Sequence, residues 1–243
     1  MKSLNILLLL GLTATSSLAA TISVNLTRSG APTETGFTNW ETNDDTLPSN
    51  LSGISFGSDT LTFSTPVGGI NAGTTLRSIN RGGDDGYAGP FANMSQTWWG
   101  QRQSSTGPGG FVTVNISGLS AGSYSFTSWH LDHEDQTGGM TVDFSDNGGS
   151  SFTNSVVPSF DLLNYAGGGS VPVPADNAAA PYAATFDFVS TGADVQIRFR
   201  NNASTNSSEA FALTNGFQLT QIPEPSAVLL GGLGLLALLR RRR

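Results

Sequence analysis

The chain has no cysteine, which excludes disulfides, thiolate metal sites and a cysteine nucleophile. Lysine occurs once, at Lys2, and charged residues make up only 12% of the chain. The two histidines, His130 and His133, sit in one short stretch and leave little material for a Ser-His-Asp triad. No GxSxG elbow, HExxH helix, phosphate-binding loop or dinucleotide fingerprint occurs. Paired carboxylates for glycoside hydrolysis are set by the fold and not by spacing, and no particular pair is nominated here. No apolar run reaches the roughly 20 residues that span a bilayer.

What is present begins at the two ends. Lys2 precedes an apolar run over residues 4–12, and Ser17, Leu18, Ala19 and Ala20 follow. This is the three-part layout of a secretory signal peptide. Small side chains at Ser17 and Ala19 place cleavage after Ala19, with cleavage after Ala20 as the alternative. An uncleaved anchor helix is the competing reading, and the run is short for one. The other end carries Pro223, Glu224 and Pro225, an apolar run over 227–239, and then Arg240, Arg241, Arg242 and Arg243. As a helix this run would rise about 20 Å against a hydrocarbon core of about 30 Å, and its arginines would stay on the cytoplasmic side.

The Pro-Glu-Pro motif, the short helix with Gly231, Gly232 and Gly234, and the terminal arginine cluster together resemble the PEP-CTERM sorting signal of Gram-negative bacteria. That resemblance implies recognition by an exosortase-type membrane peptidase cutting at or near Pro223-Glu224-Pro225, in bacteria that make exopolysaccharide or biofilm matrix. The implied location is the outer surface or extracellular matrix, reached through a precursor held transiently in the membrane. A plain membrane-anchored tail is the alternative. The domain plan is therefore a signal peptide at 1–19, a body at 20–221 and a sorting tail at 222–243.

Without Lys2, the four terminal arginines and Glu224, the body keeps 6 of the 11 basic and 17 of the 18 acidic residues, a net charge of about −11. Phosphate binding needs clustered Lys and Arg, so nucleic acid is not an expected partner. The body is dominated by Gly, Ser, Thr and Asn, and its apolar residues alternate with polar ones in short bursts. Val112, Val114 and Ile116 share one face; so do Tyr124 and Phe126, Val142 and Phe144, Phe186 and Phe188, then Val195, Ile197 and Phe199, and finally Phe217 and Leu219. An opening strand is expected at 22–26. Many half-buried strands with no amphipathic helix predict an all-β, antiparallel β-sandwich of jelly-roll type.

Two turns stand between these strands. Residues 117–122 should tuck Leu119 into the sandwich end and leave Gly122 free to take a positive φ. Residues 145–152 resemble an Asp-box hairpin turn, with Asn147 where the pattern usually has Asp. Residues 165–181, rich in Gly and Pro, read as a connector or a flap. The strand series, with Gly122, Tyr124 and Phe126 and the closing Gly216-Phe217-Gln218-Leu219, is similar to galactose-binding-like sandwiches of the carbohydrate-binding kind over residues 52–220. That similarity implies a sugar-binding module.

Two polar clusters are the candidate sites. Asp132, Glu134 and Asp135, beside His130 and His133, offer oxygen ligands that suit calcium; the alternative is a hydrated strand-end loop. Trp98 and Trp99, with Asp84, Asp85 and Arg102, offer aromatic faces and hydrogen-bonding groups of the kind a sugar site uses. The alternative there is one core and one rim tryptophan, which strand alternation produces by itself. The function expected from all this is a noncatalytic, exported surface or matrix protein associated with exopolysaccharide. A carbohydrate-binding module proper, or a hydrolase of matrix sugars acting through carboxylates near His130 or Asp84, are the alternatives.

Overall fold

The computed structural model describes residues 20–42, 46–47, 50–56, 59–64, 76–80, 91–102, 110–132, 139–160, 181–202 and 211–223. The signal peptide, the apolar run and arginines of the tail, and most of residues 165–181 lie outside the described residues. Among the described residues no helix is long and apolar enough to cross a membrane.

The described chain is all-β apart from one short helix, α1 (Ala92–Ser95), and its strands form three sheets. The first sheet joins β12 (Tyr182–Ser190), β9 (Gly122–His130), β15 (Gly216–Ile222), β1 (Thr21–Arg28) and β2 (Thr38–Thr42), in that order. The second joins β11 (Thr153–Phe160), β10 (Met140–Ser145), β13 (Val195–Asn201), β8 (Phe111–Ser117), β5 (Asp59–Ser64) and β4 (Asn50–Phe56). A third, smaller sheet joins β14 (Phe211–Thr214), β7 (Thr97–Arg102), β6 (Leu76–Asn80) and β3 (Thr46–Leu47).

Every apolar burst of the sequence lies on one of these strands, and the first two sheets pack face to face as a sandwich. The reason is the period-two alternation, which turns Phe126 and Phe217 of one sheet toward Phe199 of the other. Phe144 meets Phe186 and Phe188 across the same gap, with ring centroids 5.6 and 4.7 Å apart. Pairing is antiparallel except at one place: β1 and β2 run parallel, so the expectation of a wholly antiparallel sandwich is corrected there. Their crossover, residues 29–37, passes α1, where the Met94 amide donates to Glu34 Oε2 at 3.2 Å and Asn93 Nδ2 donates to the Thr33 carbonyl at 2.9 Å.

The turns behave as their residues require. Leu119 is buried, and Gly122 has φ of 151°. In the Asp-box-like turn, Asn147 Oδ1 accepts from Ser145 Oγ at 2.8 Å and from the Ser151 amide at 3.1 Å. Gly148 and Gly149 both take positive φ there.

The strand directions give the sandwich two unlike poles. One pole gathers the tight turns 118–121, 146–152 and 191–194 together with Ala20 and Ile222; the Gln221 amide donates to the Ala20 carbonyl at 2.9 Å, so the domain's beginning and end lie side by side. The opposite pole is where β9, β11 and β13 finish and where β10 and β12 begin.

Candidate functional site

The outer face of the first sheet is a ladder of short polar side chains. Register places Thr185, Thr127, Gln218 and Ser23 in one row and Asp187, Ser125, Thr220 and Thr21 in the next. Hydrogen bonds run along the rows, from strand to strand: the Thr127 and Thr185 hydroxyls are 2.9 Å apart, Gln218 Nε2 donates to Ser23 Oγ at 2.9 Å, and the Thr21 and Thr220 hydroxyls meet at 3.3 Å. All eight side chains are half-buried or exposed. Asp187 is the only ionic group among them.

The row nearest the distal pole holds Trp129, and an aromatic bank rises over it. Phe37 from the β1–β2 crossover and Phe91 before α1 lie 5.4 and 5.1 Å from the Trp129 ring. Phe37 and Phe91 are themselves 6.2 Å apart, edge to face. Trp129 is buried under them, while both phenylalanines stay half-exposed. Phe91 adopts φ of 58°, a left-handed conformation uncommon for a bulky residue. Polar groups border the bank: Asn25 Nδ2 donates to Asn39 Oδ1 at 3.0 Å, and Asn39 Nδ2 donates to Thr33 Oγ1 at 2.8 Å. A flat hydroxyl and amide surface ending in aromatic edges can hydrogen-bond sugar hydroxyls and pack against their apolar ring faces.

This surface is not the one the sequence nominated. Trp98 and Trp99 are both fully buried, so neither offers a ring to a ligand at the surface. The core-and-rim alternative also needs correction, because both are core. The physical reason is that β7 is covered on both faces: Trp99 packs on Trp40 of β2 at 5.4 Å and Trp98 on Phe211 of β14 at 5.1 Å. Asp84 and Asp85 lie outside the described residues. Arg102 ends β7, opposite Phe211.

His130 is buried with both ring nitrogens occupied. The Leu213 carbonyl lies 2.7 Å from Nδ1 and can only accept, so Nδ1 carries the proton and Nε2 accepts from Ser128 Oγ at 2.8 Å. Burial lowers its pKa to about 4, against the opposing pull of the Leu213 carbonyl. Phe160 and Phe199 flank the ring, each at 5.1 Å. It is a neutral core histidine, with no lone pair free for a metal. Asp132 is buried beside it, whereas His133, Glu134 and Asp135 lie outside the described residues. Among the described residues no three His, Asp or Glu side chains gather as metal ligands.

Asn215 went unnoticed in the sequence. Its amide donates to the Trp129 carbonyl and its carbonyl accepts from the Leu26 amide. Its side chain accepts from the Leu131 amide at 2.7 Å and donates to the Thr97 and Leu131 carbonyls at 2.8 and 3.1 Å. One buried residue thus clamps β1, β7 and the end of β9 beneath the aromatic bank. A lone Asn between two strands carries no signal that could have revealed this.

Residues 221–243 match the family described as the PEP-CTERM protein-sorting motif. The chain carries a PEP-CTERM tail. That tail marks an exported protein, associated with the cell surface of Gram-negative bacteria and processed by an exosortase. The PEP-CTERM match covers the tail alone and begins within β15, where the body ends. Comparison with curated protein sequences finds no match.

Among solved structures, the body is similar to the complex of plant peptide RALF23 with FER and LLG2, at 10% identity and a TM-score of 0.41, covering 84% of this chain and 40% of that one. It is also similar to the ANXUR1 extracellular domain from Arabidopsis thaliana, at 10% identity and a TM-score of 0.43, covering 71% and 46%. A family 35 carbohydrate binding module from Clostridium thermocellum gives 14% identity and a TM-score of 0.35, covering 70% and 98%. This chain thus spans less than half the length of the two plant structures. Likenesses this loose transfer no ligand and no residue role.

Proposed function

We propose that this is a noncatalytic surface or matrix protein, sorted by its PEP-CTERM tail, whose body associates with extracellular polysaccharide through the outer face of the first sheet. The observation that carries the reading is the pairing of a polar ladder with the half-exposed bank of Phe37 and Phe91 over Trp129. Stacking supplies attraction without charge, and the ladder supplies donors and acceptors at sheet spacing. The eight-residue ladder, with one carboxylate and no cation, suits a neutral polymer better than an acidic one.

The domain plan, the jelly-roll description and the calcium site at Asp132, Glu134 and Asp135 belong to this proposal, as do ligand contacts from Asp84, Asp85 and Arg102. The test is affinity electrophoresis of the exported protein in gels cast with neutral and with uronate-containing polysaccharides, with calcium and with chelator. Retardation by a neutral polymer, weakened about five- to thirtyfold in Phe91→Ala and Phe37→Ala, is expected, since each ring supplies about 1 to 2 kcal/mol of stacking and burial. Equal mobility of wild type and both variants in every gel would remove this face as the site. Loss of retardation on chelation, and in Asp132→Asn, would place calcium in the binding reaction.

A further inference from the structure

β13 turns Ile197 and Phe199 into the core, so Arg198 and Arg200 point to the outer face of the second sheet, away from the first. In register beside Arg198 lie Asp143 of β10 and Thr113 of β8, and beside Arg200 lies Phe111 of β8. Both guanidinium groups close on the one carboxylate. Asp143 Oδ2 accepts from Arg198 Nε at 2.9 Å and from Arg200 Nε at 3.1 Å. Its Oδ1 accepts from Arg200 Nη2 at 3.3 Å and from the Ser155 amide at 2.8 Å. Arg198 Nη2 also donates to Asn154 Oδ1, at 3.3 Å.

The cluster holds more positive charge than its carboxylate needs. Asp143 is fully buried, and one arginine neutralises it. The second leaves an excess of one positive charge, in a body that has only 6 basic residues against 17 acidic ones. Nor are the guanidinium groups used up. Each carries five N–H donors, and among the described residues Nη1 of neither Arg198 nor Arg200 makes a hydrogen bond. The two arginine side chains stay 20% and 33% exposed while the carboxylate beneath them is sealed from solvent.

Two rings complete the cluster. The Arg198 guanidinium carbon lies 4.0 Å from the centre of the Phe152 ring and 5.2 Å from that of Phe111, and both rings are half-buried. Ring contact on one side and the shared carboxylate on the other hold the arginines in place before any ligand arrives. Excess positive charge, N–H donors without partners and apolar ring surface thus meet on one patch of sheet. A carboxylate accepts from guanidinium donors, and the apolar face of a sugar ring packs on an aromatic one.

We propose that Arg198 and Arg200 hold a carboxylate substituent carried on an otherwise neutral sugar chain, on the face of the sandwich opposite the polar ladder. The charge of the body limits the ligand. A net charge of about −11 repels a dense polyanion. Exposed charges more than about 8 Å away are largely screened at physiological salt, so an isolated carboxylate meets only the local positive excess. Binding faces on opposite sides let one molecule join two polymer chains. That consequence rests on the polymer reading of the first sheet; the carboxylate site itself does not.

The test is calorimetric titration of the full exported chain with a dextran oligosaccharide bearing one carboxymethyl group, and with the same oligosaccharide unsubstituted. At low salt the carboxymethylated ligand is expected to bind at least about tenfold more tightly, the scale of charge-assisted hydrogen bonds. That advantage should shrink as salt rises from about 20 to about 200 mM. Arg200→Gln should abolish it, and Phe37→Ala should leave it intact. Arg200→Lys keeps a cation beside Asp143 without a second guanidinium and should also lose the advantage; it is the variant to read if Arg200→Gln fails to fold by circular dichroism. Equal affinity of the wild type for the two ligands overturns the proposal. So does an advantage retained in either folded variant, which would assign it to other cations such as Arg240 to Arg243. Binding of the carboxymethylated ligand alone supports this site independently of the first sheet.

Discussion

At the scale of single residues, the buried polar groups carry most of the specificity. Asp143 is the clearest case of charge. Burial pushes its carboxyl pKa up, yet the Arg200 guanidinium, the Ser155 amide and the Arg198 guanidinium together outweigh burial and hold it below its ordinary value. Arg198 lies 2.8 Å from Asp143 Oδ2, and its guanidinium stacks 4.0 Å from the centre of the Phe152 ring. His130 is the case of a group kept neutral. Its folded pKa of about 4 lies below the ordinary 6.5, so the unfolded chain takes up the proton first. The stability supplied by neutral His130 is present above pH 6.5 and is lost as pH falls from there to 4, at a total of about 3 kcal/mol. Asp143 acts in a different window, being lost only as pH falls below the ordinary carboxylate value. Urea unfolding of wild type and His130→Gln at pH 7, 5.5 and 4 checks this: the wild type should lose more stability than the variant across that span. Parallel pH profiles would assign the acid sensitivity elsewhere.

At the scale of elements, β7 decides how its tryptophans are used. A strand with one wet face would have shown one of Trp98 and Trp99 to solvent, but Trp40 covers one side and Phe211 the other. Truncation therefore leaves a large cavity. Trp98→Ala and Trp99→Ala are each expected to cost about 3 to 5 kcal/mol of stability by urea denaturation. Polysaccharide retardation, measured where the variants remain folded, should be unchanged. A variant with normal stability and lost retardation would return the site to these residues. The strands themselves were legible because alternation of apolar and polar residues needs no tertiary information. The Phe37, Phe91 and Trp129 bank was not, because its rings come from a crossover, the start of a four-residue helix and a strand end that are distant in sequence.

At the scale of the whole molecule, β15 is a central strand, held between β9 and β1, and it runs directly into the sorting tail. Removal of the tail beyond Pro223 spares every ladder bond of β15, whereas truncation before Gly216 leaves the facing edges of β1 and β9 unpaired and takes Phe217 and Leu219 out of the core. The first truncation should leave the melting temperature within about 2 °C of the tailed protein, because the pairing of β15 with β9 and β1 is kept. The second should yield no folded protein by circular dichroism. Equal folding of both would mean that β15 is dispensable. The match to the sorting motif thus begins at the end of a central strand, at residue 221.

The address of the protein and its class of fold were determined by sequence alone: the tail is a linear motif, and alternation with period two specifies strands residue by residue. The tertiary structure decided which rings were buried and which polar residues shared a face. Those depend on strand order and register, and they bring together residues such as Ser23 and Gln218 that are remote in the chain. Local pattern cannot encode such neighbours, because it records how each strand faces a sheet but not which strands lie beside it.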